Sequence, residues 1–263
     1  MQGSAAWIVF LLLRYSLDIL LLVIIKVTLF LMVIALLGFA EEAHVAMALS
    51  KPPYIFEEDA SGLECDIIRE SFKAVRIDFK PSFVPMNRAE ALFKSGQVNG
   101  VINKLENSLD GFPSDPYIDY YNVVASLKNR KLKIKTIDDL ANLRVAGFQT
   151  AKSVLGDKFN SVMTKNTKYT EVAEQLTQVE QLLRKRVDAI VGDILIIKYY
   201  QRNLKEDAGL DAEIAIHDLF PSTAYRIMFK TAKMRDSFNK GLKIIHKKKI
   251  YSGIISRYTS IKK

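Results

Sequence analysis

The chain contains one cysteine, Cys65, among its 263 residues. A single thiol permits neither an internal disulfide framework nor a zinc site built from several cysteines. We interpret Cys65 as a small, half-buried apolar residue, because a free thiol usually packs like any apolar side chain. The fold must therefore depend on apolar burial, for which a hydrophobic content of 49% in a chain of this length is sufficient.

Catalytic motifs are also missing from the sequence. It contains no GxSxG nucleophile elbow, no GxGxxG or Walker-type phosphate loop, and no HExxH zinc motif. Its three histidines, His44, His217 and His246, lie on separate predicted elements, with no Asp or Ser at an informative spacing. We therefore expect a protein that is not an enzyme and that has no catalytic residues, no metal ion and no cofactor.

Long apolar runs are confined to the first 40 residues. Residues 27–40 (VTLFLMVIALLGFA) carry no charge and lie between a lysine and two glutamates. A positive flank, an apolar stretch of about 7–15 residues and small residues at its end are typical of a secretory signal. Since a membrane-spanning helix needs about 20 apolar residues, we expect cleavage after Ala40. An uncleaved membrane anchor is the alternative, because residues 5–25 are also largely apolar.

Charge is unevenly distributed over the remaining chain. Residues 222–263 contain twelve Lys and Arg and a single acid, Asp236, whereas residues 41–221 have a net charge of −3. A basic segment can indicate a nucleic-acid partner, but an exported protein does not normally meet one. Apolar residues recur at helical spacing within this segment, so we interpret its lysines as a solvated helix face and expect no nucleic-acid partner.

The apolar pattern predicts alternating strands and helices in two successive units. The first unit has predicted strands at 44–49, 79–85 and 98–103 and helices at 63–75 and 87–96. The second has helices at 137–143, 150–156, 171–186 and 193–204 and strands at 144–148, 187–191, 213–220 and 225–230, followed by a helical segment at 233–260 broken near Gly253. This order is typical of an α/β protein with helices packed on parallel sheets.

Two such units indicate two lobes, with the last segment returning to the first lobe. We predict lobe 1 from residues 41–125 and 222–263, and lobe 2 from residues 126–221. Residues 104–119 form the longest predicted loop, and long ordered loops at strand ends often carry ligand contacts.

Six segments carry a resemblance to a known family. They are PPYIF (52–56), GLECDIIRESF (62–72), NRAEALFKSGQVNGVIN (87–103), SDPYIDYYNVVASLK (114–128), IDDLANLRVAGFQTA (137–151) and VDAIVGD (187–193). In this order they resemble the periplasmic solute-binding proteins of ABC importers, family 3, which mostly bind polar amino acids. The resemblance implies two lobes, each a mostly parallel sheet with flanking helices, joined by crossover strands near 120–130 and 215–225. It also implies a ligand cleft that closes by hinge motion.

The resemblance further implies a set of ligand-binding residues. They are Tyr54, Arg88, Asn103, Lys104, Tyr117, Gln149, Thr150, Ala151 and Asp193. In the family, an acid at the position of Asp193 binds the amino group of the ligand, and the carboxyl end of a parallel strand is where open α/β sheets bind ligands. Asp is also a favoured N-cap for the helix that follows, and the two roles are compatible, since capping leaves one carboxylate oxygen free.

Two other positions in this set have both a ligand role and a plain structural one. The turn at 149–151 matches the place where a ligand carboxylate meets backbone N–H groups, although the usual glycine is missing and Thr150 has the alternative role of a helix cap. Tyr54 matches an aromatic position that packs over the ligand, and a partly buried strand-end ring is the alternative.

One departure from the family concerns the ligand carboxylate. Amino-acid binders have an arginine ahead of a Phe-Ser-x-Pro-Tyr stretch that clamps this group with two hydrogen bonds. Here the stretch is PSDPY (113–117), and the preceding LENSLDG (105–111) contains no arginine. Arg88 and Lys104 are the candidate substitutes, with a simple surface charge as the alternative for each. An amino acid, an amine, a derivative or another small polar metabolite then fits the site.

The sequence thus predicts a periplasmic, monomeric binding protein that delivers a small polar ligand to the membrane permease of an ABC importer. A membrane-tethered ligand-sensing domain is the alternative if residues 1–40 persist. A further alternative is a small-molecule lyase or dehydratase on the same fold, with Glu106 or Asp193 as general acid–base.

Overall fold

The structure is a computed structural model that describes residues 21–28, 41–105 and 109–259. The chain forms two compact units, Met1–Glu41 and Glu42–Lys263. In the first unit the described residues are helical, and we label this helix α1 (residues 21–28). The predicted cleavage point after Ala40 lies outside the described residues. Within the described ranges, no helix combines the length and apolar character needed to cross a membrane.

The second unit contains two β-sheets. The first sheet has the strand order β2-β1-β3-β11-β4, with β5 also paired to β11. Its strands are β1 (Glu42–Met47), β2 (Asp78–Phe83), β3 (Gly100–Lys104), β4 (Phe112–Pro113), β5 (Ile118–Tyr120) and β11 (Thr223–Phe229). The first three strands are parallel, and β11 runs antiparallel to β3, β4 and β5.

The second sheet has the strand order β10-β6-β9-β7-β8. Its strands are β6 (Asn122–Leu127), β7 (Val145–Phe148), β8 (Tyr169–Val172), β9 (Ala189–Asp193) and β10 (Ile214–His217). β7, β8 and β9 are parallel, whereas β6 pairs antiparallel with both β9 and β10. Each sheet therefore has a parallel core of three strands extended by antiparallel strands, and the predicted α/β class is confirmed.

Helices cover both sheets. The first sheet carries α2 (Leu63–Lys73), α3 (Met86–Lys94), α8 (Ala232–Lys247) and α9 (Ile250–Thr259), and the second carries α4 (Ala151–Val154), α5 (Asp157–Lys165), α6 (Gln175–Leu183) and α7 (Ile194–Ala208). Short 3-10 helices occupy Lys128–Arg130 and Ile137–Leu140.

The core of the first sheet is built around three aromatic rings. Phe72 of α2 lies 5.3 Å from the ring of Phe238 of α8, and both contact Phe229 of β11. All three side chains are fully buried, and each burial contributes roughly 1.5–3 kcal/mol. The last strand, β11, and helix α8 thus pack with the first sheet.

The chain passes between the sheets at two short connections. Tyr121 separates β5 from β6, and residues 218–222 separate β10 from β11. Residues 122–125, which were predicted to belong to lobe 1, pair with β9 and β10 in the second sheet. The change of sheet thus comes a few residues earlier than apolar periodicity alone could place it.

Several element predictions differ from the structure; the loop predicted at 104–119, for example, contains the short strands β4 and β5. The helix predicted at 171–186 begins only at Gln175, because Tyr169–Val172 forms the edge strand β8. Helix α5 was not predicted. The C-terminal helical break lies at Lys248 and Lys249, where Lys249 adopts a left-handed conformation (φ 58°), and Gly253 lies inside α9.

Helix α8 packs closely on α2 at a glycine, which gives a test of the fold. A Cβ on Gly241 would lie 1.9 Å from the carbonyl oxygen of Ser71, so Gly241→Ala must push the two helices apart. We expect a loss of about 1–3 kcal/mol in unfolding free energy, measured by urea denaturation. Gly253→Ala in α9 is the matched control: its Cβ meets nothing within 4 Å, and it should gain about 0.5–1 kcal/mol from helix propensity. Equal effects of the two substitutions would contradict this packing.

Candidate ligand-binding cleft

A cavity of about 640 Å³ lies between the two sheets. From the side of the first sheet it is lined by Ala48, Lys51, Met86, Glu90, Asn103, Lys104, Tyr120 and Tyr225. From the side of the second sheet it is lined by Asn122, Phe148, Gln149, Thr150, Val154, Gln175, Asp193 and Ile196. Its size falls within the range of about 300–1,000 Å³ found for small-molecule sites.

Asp193 is held in this cleft by three backbone groups. Its Oδ1 accepts hydrogen bonds from the N–H groups of Leu195 (2.8 Å) and Ile196 (3.3 Å), and thereby caps α7. Its Oδ2 accepts a bond of 2.9 Å from the N–H of Tyr121 at the first crossover. One carboxylate therefore joins the end of β9, the start of α7 and the connection between the sheets.

The Asp193 carboxylate is buried without a cationic partner. It is 3% exposed, and within the described residues it forms no ion pair with Lys, Arg or His. Burial raises its pKa, while the hydrogen bonds from the backbone oppose that change. A buried carboxylate of this kind is stabilised strongly by any cation that reaches it.

Beneath the cleft floor, a second buried carboxylate organises a polar network. Glu64 of α2 is fully buried and accepts hydrogen bonds from the hydroxyls of Tyr117 (3.0 Å) and Tyr120. Lys51 Nζ lies 3.5 Å from Glu64 Oε1 and 4.5 Å from the centre of the Tyr120 ring. Burial, and then the charge of Glu64, raise the pKa of both tyrosine hydroxyls, so they remain donors.

Asn103 connects this network to the cleft. It adopts a left-handed backbone conformation (φ 55°), which Asn tolerates better than most residues. In the amide orientation that satisfies its neighbours, its nitrogen donates to Glu64 and its oxygen accepts from Lys51 Nζ at 3.0 Å. Asn103 therefore lines the cavity while it fixes the position of Lys51.

Tyr54 lies beneath the floor and not over the cavity. Its ring is fully buried and stacks on Tyr120, with 4.1 Å between centroids and 13° between planes. Burial and the nearby charge of Asp193 raise its pKa. Its hydroxyl has no hydrogen-bond partner of acceptable geometry among the described residues.

The two basic residues considered as substitutes for the arginine clamp differ in position. Lys104 lines the cavity and forms an ion pair with Glu90 of α3. Arg88 lies on the exposed face of the same helix and does not line the cavity.

The turn at 149–151 is already bonded to a side chain. Glu171 of β8 accepts hydrogen bonds from the N–H groups of Thr150 (2.8 Å) and Lys152 (3.0 Å) and from the Tyr169 hydroxyl (3.0 Å). Partial burial opposes the ionisation of Glu171, but these three bonds outweigh burial and lower its pKa. Thr150 has a left-handed conformation (φ 72°) where the family has glycine, and no side-chain cap bond from it is present.

The structure brings five of the nine predicted residues to the cavity: Asn103, Lys104, Gln149, Thr150 and Asp193. Tyr54, Tyr117 and Ala151 are buried behind it, and Arg88 is exposed on α3.

Sequence reasoning missed Lys51, Glu64 and Glu171. Glu64 had a usable signal, because it is an acid three and four residues before Ile67 and Ile68 on the apolar face of a predicted helix. In the described part of the chain, no group of three His, Cys, Asp or Glu side chains could hold a metal ion.

Solved structures with similar folds were found by comparison. The GluR0 ligand-binding core in complex with L-glutamate aligns with a TM-score of 0.67 at 15% identity, covering 84% of this chain and 99% of that one. The arginine-, lysine-, histidine-binding protein ArtJ from Geobacillus stearothermophilus aligns at 0.64 and 16% identity, covering 83% and 95%. A histidine kinase sensor domain with similarity to periplasmic binding proteins aligns at 0.66 and 14% identity, covering 83% and 96%.

The chain has the two-lobed periplasmic-binding-protein fold. The fold implied by the sequence resemblance is therefore confirmed. No model of a protein family matches the sequence, and no relative was found among curated proteins. At these identities the similarity extends to the fold alone.

The double role of Asp193 predicts a graded effect on stability. Asp193→Ala removes the cap of α7 and the acceptor for the Tyr121 N–H, so we expect a loss of about 1–3 kcal/mol in unfolding free energy. Asp193→Asn keeps an oxygen to cap the helix and should lose less. Urea denaturation of both variants measures the difference, and an Asn variant as unstable as the Ala variant would contradict the capping role.

Proposed function

We propose that the chain is an extracytoplasmic binding protein that captures a small polar ligand with an amino group and presents it to the permease of an ABC importer. The buried Asp193 carboxylate, which lines the cleft without a cationic partner, carries this proposal. An ammonium group would supply the missing charge and donate to the lone pairs that the backbone leaves free. ArtJ, whose fold is similar, binds arginine, lysine and histidine.

The architecture supports capture by closure of two lobes. Within the described residues, the connections between the sheets are Tyr121 and residues 218–222. Short connections of this kind can absorb the rotation of hinge closure. Polar side chains from both sheets, among them Asn103 and Gln149, face one cavity. A ligand that contacts both sheets would favour the closed arrangement through its additional contacts.

Binding accounts for the site better than catalysis does. Asp193, one of the two acids considered for proton transfer, already accepts three backbone hydrogen bonds. These bonds hold the carboxylate in a fixed position at the start of α7 and oppose the rise in its pKa that burial causes. Glu106, the other acid, lies outside the described residues.

A tethered sensing domain would use the same cleft. The apolar N-terminal segment and the similarity in fold to a histidine kinase sensor domain support this second candidate. Sequencing the N-terminus of the protein recovered from cells separates the two, since a start at residue 41 supports a secreted carrier and a retained residue 1 supports a tether.

Removing the charge of Asp193 should abolish most ligand affinity. For a ligand identified by a thermal-shift screen of amino acids and amines, we expect Asp193→Asn to weaken binding by about 3 kcal/mol, roughly 100-fold. Isothermal titration calorimetry measures the loss. Asp138→Asn, at an exposed acid of the second lobe that forms a surface ion pair with Lys158, is the control and should bind as the unaltered protein does. Equal affinity of the Asp193→Asn variant would refute the proposed site.

Affinity should also depend on pH through Asp193. Burial raises the pKa of this group in the free protein, and a bound ammonium favours its ionised form. Affinity is then constant above that pKa and falls about tenfold per pH unit below it, because a proton must leave before the ligand binds. Titrations from about pH 4 to pH 8 measure the slope. The residual binding of Asp193→Asn should lack it, and affinity that rises on acidification would contradict the assignment.

A further inference from the structure

The charges around the cleft determine which other groups the ligand can carry. We propose that the cleft selects a cationic amine without a carboxylate, because three carboxylates of the protein occupy the groups that would otherwise bind one. These are Glu64, Glu90 and Glu171. The inference rests on the proposed function and specifies the class of ligand.

The first group is the ammonium of Lys51. It lies 3.5 Å from Glu64 Oε1, and the oxygen of Asn103 accepts from it at 3.0 Å. Its position over the Tyr120 ring adds a cation–π contact at 4.5 Å. Glu64 is fully buried, so drawing Lys51 toward a ligand would leave a buried carboxylate without its counter-ion, at a high cost in free energy.

The second group is the ammonium of Lys104. Its side chain is 9% exposed and forms an ion pair with Glu90. A ligand carboxylate would have to displace Glu90, which α3 holds beside Lys104. The free energy of the new ion pair would then be largely offset by the loss of the Lys104–Glu90 pair. Lys104 therefore contributes little net attraction for an incoming anion.

The third group is the pair of backbone N–H groups at Thr150 and Lys152. Both donate to Glu171, whose carboxylate also accepts from Tyr169. Tyr169 reaches this position because residue 147 is glycine, where a Cβ would lie 2.3 Å from the tyrosine hydroxyl. A protein carboxylate thus lies where the family resemblance placed the ligand carboxylate.

The resulting charge balance favours a cation. Among the described residues, two lysines line the cleft, and each is matched by a glutamate, which leaves the charge of Asp193 uncompensated. An ammonium neutralises it. An α-amino acid would bring a second charge that meets only cations already paired with a glutamate in the described lining and is repelled by Glu90 and Asp193, and this penalty discriminates against it.

Pairs of ligands that differ only in a carboxylate test this inference. Cadaverine and L-lysine are one pair, and agmatine and L-arginine are another; calorimetry on the full-length protein gives each dissociation constant. We expect each amine to bind at least about tenfold more tightly than its amino acid. Equal or tighter binding of the amino acids would overturn the selectivity and leave the proposed binding function intact. Absence of binding by all four compounds would overturn both.

A variant of Glu171 tests the mechanism of exclusion. Glu171→Ala frees the N–H groups of Thr150 and Lys152, so the affinity for L-lysine should rise. The gap between the two ligands, which is the ratio of the dissociation constants of L-lysine and cadaverine, should narrow by roughly tenfold. Glu171→Gln retains an acceptor and should narrow the gap less, and it replaces the Ala variant if that protein fails to fold. Glu180→Ala is the control, because Glu180 is a half-buried glutamate on α6 that pairs with Arg184 and does not line the cavity. An unchanged gap in both Glu171 variants would overturn the role of Glu171.

Discussion

The three hydrogen bonds that converge on Asp193 are the contacts on which the cleft most depends. They connect the end of a buried parallel strand, the first turn of α7 and the crossover residue Tyr121. Because the same carboxylate faces the cavity, the group available to a ligand is also the group that holds the connection between the sheets. Binding and lobe geometry are in this way coupled through a single side chain.

A second polar centre supports the opposite wall. Glu64 is fully buried and accepts hydrogen bonds from the hydroxyls of Tyr117 and Tyr120. It also accepts from the amide of Asn103 and forms an ion pair with Lys51. Such a network is stable only when each member has its partner, which explains why Tyr117 is buried beneath the cavity and why Tyr120, which lines the cavity, keeps its hydroxyl bonded to Glu64. The floor of the cleft is therefore rigid and polar, and Lys51 is fixed upon it.

The sequence was most informative for β9, whose five residues are all buried. The apolar run before Asp193 identified a buried strand, and the residue pattern alone was enough to place the acid at the carboxyl end of that strand. Helix α5 escaped prediction because only Phe159, Val162 and Met163 of its nine residues are buried. Strand β8 escaped because it is a short edge strand, mostly facing solvent, that precedes a strongly helical pattern.

Side-chain contacts between distant elements could not be read from the sequence. Glu171 bonds to backbone groups about twenty residues earlier in the chain, and nothing in its local pattern distinguishes it from a solvated glutamate. Tyr54 is a case in which the expected contact is not made. Its position in the sequence suggested contact with a ligand, but its ring stacks on Tyr120 instead. The type of a residue predicts which interactions its side chain can form. The direction in which that side chain points depends on contacts that exist only in the folded protein.

The Glu171 carboxylate belongs to the same chain as the N–H groups that it binds, and this affects its competition with dissolved carboxylates. A tethered group competes with free molecules as though present at a high local concentration, commonly in the millimolar range for flexible tethers. A dissolved carboxylate must exceed that concentration to exchange with it. In the proposed cleft, Glu171 thus acts as an internal competitor for ligands that carry a carboxylate.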